Sequence, residues 1–306
     1  FALEAVANRT FPAAMSKTLL IDGHNFAFRA FYGITELSRS DGFPTNAIHG
    51  WLRTCWRLED EEKPDSVMVF FDCGGDDERE KLLPEYKANR SKCPDGLSLQ
   101  LPWIKKLVMA SGYACEERSG VEADDLIAAA AKALVERGDE ALIASSDKDF
   151  LQLINDRVKM WNPADKSGKP MDAGAVVAKT GVQPSQIVDW LSLVGDAADN
   201  IPGVPGVGVK TAAVLLNEFG SVDGIYGRLA EVRRDKQRES LAAAEAVVRR
   251  NQSLVALKLD LPGEPELDDL RRGFQDAARL EKLYEAWGFN TLLKDLREAR
   301  QGALFE

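Results

Sequence analysis

Short apolar runs alternate with longer stretches of helical periodicity through the first half of this chain. Thr18-Leu19-Leu20-Ile21, Ser66-Val67-Met68-Val69-Phe70-Phe71 and Ala141-Leu142-Ile143-Ala144 are unbroken apolar stretches of strand length, as expected of parallel strands covered on both faces. Tyr113 to Glu116 and Arg157 to Trp161 read as two further strands. Between them, 25–37, 45–62, 101–110 and the alanine-rich segment after Gly120 have helical spacing, with Trp51, Leu52, Cys55, Trp56 and Leu58 on the inner face. This alternation predicts an α/β domain with a mostly parallel sheet and flanking helices. From Gln183 onward the strand signal fades and short helices follow, beginning at Pro184, an early helical position that suits proline. Gly263-Glu264-Pro265-Glu266 reads as a loop and Ala277 to Trp287 as a closing helix. The expected division is a disordered extension at 1–16, a first domain at 17–182, a helical second domain at 183–295 and a tail at 296–306.

Three of the apolar runs lead into an aspartate: Asp22, Asp72 and Asp147. In open α/β sheets that edge is where ligands bind. More acid gathers beside it, since Glu122, Asp124 and Asp125 open the alanine-rich helix and Asp149 follows Asp147. At about 100° per helical residue, Glu122 and Asp125 share a face while Asp124 points away from Glu122. All three converge only if Glu122 lies in the entering loop or first turn. One such acid is ordinarily a helix cap. Five at two adjoining ends exceed what capping requires, and packed carboxylates repel unless protonated or bridged by a cation, which favours a divalent metal.

The second domain repeats the theme. Asp196 and Asp199 are three apart, which on a helical turn points both the same way. The glycine run that follows is no P-loop, because Lys210 comes one place late after Gly203-x4-Gly208 and no strand precedes it. It reads as a hairpin between two helices, in which Gly203, Gly206 and Gly208 let backbone N–H groups approach a phosphate and Lys210 and Thr211 open the next helix. In the long polar stretch 74–100, Tyr86 stands among Lys87, Arg90 and Lys92, with Arg79 and Lys81 upstream. Cations there can meet phosphate and an aromatic face can stack on a base; a solvated charged loop is the plainer alternative. Arg29, two helical turns after Asp22, could reach the same edge.

The 306 residues carry a net charge of −10, from 49 acidic and 39 basic side chains, which taken whole argues against a nucleic-acid partner. Setting aside nine acids as metal ligands leaves 40 against 39, close to neutral. No apolar run approaches the ~18 residues of a membrane span, and the opening residues lack a basic segment followed by a long apolar one, so a cytoplasmic protein is expected. Four widely spaced cysteines predict reduced, mostly buried thiols.

LLIDGHN, FFD, LPEYKANR, GVEADDLI, SSDKDFLQL and GDAADNIPGVPGVGVKTA, in that order over 17 to about 295, resemble the bacterial 5′ nuclease family. This is the 5′-3′ exonuclease and flap endonuclease domain found at the start of DNA polymerase I and as separate proteins. The resemblance implies a PIN-like (resolvase-like) domain with a helical arch at about 74–100, followed by a helix-three-turn-helix DNA-binding domain. It implies two Mg²⁺ or Mn²⁺ ions held by Asp22, Asp72, Glu122, Asp124, Asp125, Asp147, Asp149, Asp196 and Asp199, the first four around one ion and the rest around the other. Lys87 and Arg90 would act on the scissile phosphate, Arg79 and Tyr86 would join them in the arch, Arg29 would contact phosphate, and the glycine hairpin would grip the duplex and hold a potassium ion. The implied substrates are DNA with 5′ flaps, nicks or free 5′ ends in replication and repair. The implied setting is a nucleoid-associated monomer working beside a DNA polymerase, either as a stand-alone nuclease or as a piece of a longer chain. Ala198 departs from the family's usual serine and removes no carboxylate. A PIN-type ribonuclease and a non-catalytic DNA-junction binder are the rival readings.

Overall fold

The computed structural model describes residues 15–165, 167–262 and 276–302. The expected loop at 263–266, most of the expected extension (1–14) and the end of the expected tail (303–306) lie outside the described residues. Five strands, β1 (Lys17–Asp22), β2 (Ser66–Phe70), β3 (Ala114–Glu116), β4 (Glu140–Ala144) and β5 (Val158–Trp161), form one parallel sheet in the order β3-β2-β1-β4-β5. Every residue of β2 is buried, as are all but the first of β1 and β4, so these three read as continuous apolar runs. The chain winds outward from β1 through β2 to β3, then returns to β1's other side as β4. The topological switch point therefore falls between β1 and β4, where Asp22 and Asp147 emerge.

Side chains alternate across this sheet. Leu19, Ile21, Val67, Val69, Leu142 and Ala144 face α1 (Gly23–Gly33), α2 (Asn46–Glu62) and, beyond the arch segment with its short helices α3 (Asp77–Leu82) and α4 (Asp95–Ser98), α5 (Leu101–Ala110). Leu20, Met68, Phe70, Ala141 and Ile143 face α6 (Ala123–Arg137). The alanines Ala128 to Ala131 are all buried: α6 lies against the sheet and also packs on Lys148–Leu153 and on the stretch after α11, where the Lys258 N–H meets Asp125 and Lys132 meets Asp260.

That second half comprises α7 (Ala173–Thr180), α8 (Ile187–Val194), a small antiparallel hairpin of β6 (Gly195–Asp196) and β7 (Ile201–Pro202), α9 (Val209–Phe219), α10 (Val222–Gly227) and α11 (Asp235–Val255). At 21 residues α11 is no short helix, and the hairpin departs from an all-helical expectation. Two last helices, α12 (Ala277–Trp287) and α13 (Asn290–Gly302), return to the first domain. Leu280, Tyr284, Trp287 and Leu292 join Trp51, Leu52 and Leu107 in one core, and Trp287 meets Trp103 edge-on at 6.0 Å. The stretch 277–295 thus packs away from the helices with which its sequence position groups it, because its apolar stripe covers the face that α2 and α5 leave open. Of the cysteines, Cys55 is buried and Cys93 half-buried, whereas Cys73 and Cys115 are exposed, so the thiols are less buried than expected. Among the described residues no helix is long and apolar enough to cross a membrane.

Candidate active site

The C-terminal edge of the sheet carries the first acidic group. Asp22 ends β1 and caps α1, accepting the Asn25 N–H at 2.9 Å on one oxygen and the buried Ser145 hydroxyl at 3.0 Å on the other. Asp72, after β2, accepts the Ala123 N–H at the start of α6 at 2.8 Å. Asp147, after β4, accepts the Asp149 N–H at 3.0 Å. Capping is therefore part of what these acids do, but it does not relieve their mutual repulsion. Asp22 is pushed up to about 7 by burial, with Asp72 and Asp147 adding to it. Asp124 is raised well above the carboxylate range by burial and by Asp147, Asp22 and Asp72. These four acids line one cleft of about 960 Å³ together with Arg29 and Arg90.

A second group lies alongside. Asp149, Asp196 and Asp199 bring carboxylate oxygens within 4.8 Å of one another. The helical turn expected for Asp196 and Asp199 is instead the β6–β7 hairpin. Gly195, at φ +78°, ends α8, and a Cβ there would lie 2.4 Å from the Gly203 nitrogen. Asn200, at φ +59°, closes the turn. The two aspartates converge all the same. Burial raises Asp149, helped by Asp147, Asp196 and Asp199, and Asp147 is raised by burial, then by Asp199 and Asp196. Asp147 thus couples the two groups. The Asp149 Oδ1 is buried and has no hydrogen-bond partner. An orphaned carboxylate oxygen between two further carboxylates, with only oxygen donors in reach, fits a hard divalent cation.

Cations reach over both groups from the arch segment. Lys87 Nζ lies 2.5 Å from Glu122 Oε1 and 3.9 Å from Asp199, and Arg90 donates to Asp199 at 2.6 Å; from the segment after β4, Lys148 sits 3.2 Å from Asp196. Glu122 precedes α6 in extended conformation, as convergence required, and makes no capping hydrogen bond. Arg29 is exposed on the cleft wall and donates to the Pro163 carbonyl at 2.8 Å.

Three expectations are corrected. Arg79 is 3% exposed, held by Asp76, Glu122 and Asp125, so it does not face a nucleic acid. Asp125 is fully buried with both oxygens on that guanidinium, so it does not face the cleft; on α6 it stands about 100° round from Asp124. Tyr86 is 8% exposed, its hydroxyl 3.2 Å from Glu122 and 3.4 Å from Asp199. It is a hydrogen-bond donor to the acids, not an open stacking face.

The glycine hairpin divides as well. Gly203 packs under α8, where a Cβ would lie 2.0 Å from the Val194 carbonyl oxygen, so its missing side chain serves the fold, not a phosphate. Gly206, Gly208 and Lys210 are exposed, Thr211 is half-buried, and Gly208 starts α9 with no side-chain cap. The first N–H groups of α9 are left facing solvent, a favourable place for an anion. The residues not foreseen from sequence are Ser145, Lys148, Asn89 and Asn200. Each had a signal in its place: Ser145 and Lys148 lie within two residues of Asp147, Asn89 adjoins Arg90 and Asn200 adjoins Asp199.

Two family models match the chain: 5′-3′ exonuclease, N-terminal resolvase-like domain over 17–181, and 5′-3′ exonuclease, C-terminal SAM fold over 182–278. The chain belongs to the 5′-3′ exonuclease family. It is 38% identical over 294 residues to a 5′-3′ exonuclease of Aquifex aeolicus, covering 94% of this chain and all of that protein. It is 35% identical over 288 residues to DNA polymerase I of Rhizobium leguminosarum, covering 92% of this chain and 28% of that one. Among solved structures, T5 5′-exonuclease with bound zinc superposes with a TM-score of 0.67 at 25% identity, covering 79% of this chain and 90% of that one.

Proposed function

We propose that this chain is a structure-specific 5′ nuclease that hydrolyses DNA phosphodiester bonds, as a 5′-3′ exonuclease and 5′-flap endonuclease, with the help of divalent metal. The observation that carries the reading is the convergence of two carboxylate groups, one from the sheet edge and one from the β6–β7 hairpin, beneath Lys87 and Arg90. Asp22, Asp72, Glu122, Asp124 and Asp147 would hold one ion, and Asp147, Asp149, Asp196 and Asp199 the other. Magnesium or manganese suits this all-oxygen set, and such ions supply an activated water and charge stabilisation for in-line displacement at phosphorus.

The chain's own part is positioning and charge. Lys87 and Arg90, paired with Glu122 and Asp199 here, exchange those carboxylates for the scissile phosphate and neutralise it. Tyr86 keeps its proton, since burial and then Glu122 and Asp199 raise it, and its hydroxyl steadies both carboxylates. Arg29 takes a neighbouring phosphate on the cleft wall. Gly206, Gly208, Lys210 and Thr211 receive the duplex backbone at the start of α9, where a potassium ion on hairpin carbonyls would complete the grip. Free 5′ ends, nicks and flaps are the substrates, a DNA polymerase the working partner, and the chain acts as a monomer in the nucleoid.

Cleavage of a 5′-labelled flap duplex with Mg²⁺ tests this, for the wild type beside Asp147→Asn and Asp199→Asn. Cutting near the junction, abolished by either substitution with DNA binding kept, is the expected result. A wild type that binds the flap and cuts it with neither Mg²⁺ nor Mn²⁺ overturns the reading.

A further inference from the structure

On the side of α6 away from the cleft, one guanidinium gathers groups from its own segment and from two distant stretches. Arg79 Nε donates to the Leu254 carbonyl at 3.0 Å and Nη2 to the Ala256 carbonyl at 3.0 Å. Nη1 donates to Asp125 at 2.7 Å, Asp76 at 2.9 Å and Glu122 at 3.3 Å, and Nη2 to the other Asp125 oxygen at 2.9 Å. That same Asp125 oxygen accepts the Lys258 N–H at 2.9 Å, and Lys258 Nζ reaches Asp76 at 2.8 Å. Leu254 lies in the last turn of α11 and Ala256 follows it, where helix carbonyls lack intrahelical partners. Arg79 therefore clasps the end of α11 to the start of α6.

The clasp has functional groups at both ends. At one, Glu122 Oε2 is held by Arg79 and Tyr86, leaving Oε1 to Lys87. At the other, Asn251 of α11, fully buried, donates to the Ser192 carbonyl at 3.0 Å and the Pro202 carbonyl at 2.7 Å. Those two carbonyls flank the hairpin that carries Asp196 and Asp199.

We propose that Arg79, anchored by Asp125, is a positioning residue for both carboxylate groups: it orients Glu122 directly and, through α11 and Asn251, sets the hairpin against the sheet edge. Asp125 is outside the metal-binding set. This rests on the metal-dependent nuclease reading above, and metal binding supplies a readout independent of cleavage.

The test is Mn²⁺ titration of the full chain by calorimetry and electron paramagnetic resonance, with flap cleavage measured in parallel, for Arg79→Gln, Arg79→Lys, Asp125→Asn and the control Asp149→Asn. Arg79→Gln is expected to weaken Mn²⁺ binding and lower kcat by about 10-fold or more, as loss of an outer-shell partner does, with KM for DNA little changed; Arg79→Lys recovers part of both. Asp125→Asn keeps the wild-type number of bound ions, whereas Asp149→Asn loses one. Loss of an ion in Asp125→Asn, or wild-type Mn²⁺ affinity and kcat in a folded Arg79→Gln, overturns the proposal. Should Arg79→Gln fail to fold, the double variant Arg79→Gln/Asp125→Asn, which removes the Arg79–Asp125 pair as a unit, carries the same readouts. If the Mn²⁺ results stand and the wild type does not cut DNA, the nuclease reading falls and the positioning role remains.

Discussion

Asp124 and Asp125 are neighbours in sequence and opposites in surroundings. Asp124 opens into a cleft with Asp22, Asp72 and Asp147, where burial and like charge push its carboxyl toward the protonated form. Asp125 turns away from the cleft into a fully buried position with Arg79 on both oxygens. The same side chain at the start of the same helix is thus left uncompensated in one case and fully compensated in the other. Uncompensated carboxylates have a use for an external cation; compensated ones already have theirs, and what they hold is the fold.

The largest effect should come from removing charge on the uncompensated side. Asp124→Asn is expected to lower flap cleavage by at least about 1,000-fold, the upper end for loss of one electrostatic stabiliser at a reacting centre. The same change should raise the melting temperature of the metal-free chain, because it relieves repulsion among Asp22, Asp72, Asp124 and Asp147. Melting in EDTA beside single-turnover kinetics reads both; a metal-free chain made less stable by Asp124→Asn would erase the contrast with Asp125.

On the compensated side the sign reverses. Asp125→Asn leaves the Arg79 guanidinium buried with only part of its counter-charge and should destabilise the chain by about 3 kcal/mol, the lower end for breaking a buried ion pair, since Asp76 and Glu122 remain. Urea unfolding measures it. A change under about 0.5 kcal/mol, typical of surface sites, would mean that the network adds nothing to stability.

How far this pattern could be seen in advance depends on the range of the interactions. β1, β2 and β4 and the acids at their ends are legible because burial on both faces leaves an unbroken apolar run and a following aspartate marks its end. Asp196 and Asp199 were rightly paired but wrongly placed on a helix, since their convergence comes from two left-handed residues, Gly195 and Asn200, that spacing alone does not reveal. The roles that the sequence suggests for Arg79, Tyr86 and Asp125 fail because their real partners are far away in the chain: Leu254, Ala256 and Lys258 for Arg79 and Asp125, and Asp199 for Tyr86. Local pattern carries no information about which side of α6 a distant helix will cover.

A pH series sharpens the comparison further. Asp22 titrates at about 7 in the metal-free chain, above the ordinary 3.8, so the folded state binds its proton more tightly than the unfolded state. The stability this contributes is complete below about pH 4 and is lost as pH rises through about 7. Metal should replace the proton as counter-charge over that interval. The rise in melting temperature on adding Mg²⁺ is therefore expected to be small at about pH 5.5 and large at about pH 8.5. A rise independent of pH would show that the cleft acids are not what Mg²⁺ neutralises.

The smallest effect is expected where the arch segment meets the hairpin. Lys87 N–H donates to the Asp199 carbonyl at 3.0 Å, Asn89 Nδ2 to the Ala197 carbonyl at 2.7 Å, and Asn200 Nδ2 to the Glu85 carbonyl at 2.8 Å. These bonds hold the segment carrying Lys87 and Arg90 in register with the turn carrying Asp196 and Asp199. Each side-chain amide contributes about 1 kcal/mol, so Asn89→Ala should lower kcat/KM on a flap by about fivefold at that energy. Asn200 also holds a left-handed backbone, φ +59°, which alanine adopts at about 1 kcal/mol or more and glycine without strain. Asn200→Gly should therefore match Asn89→Ala in activity, while Asn200→Ala falls below both. Equal activity for Asn200→Gly and wild type would show that the Asn200 amide sets no register, leaving the Lys87 N–H, the Asn89 amide and the ion pairs of Lys87 and Arg90 as the links between the two loops.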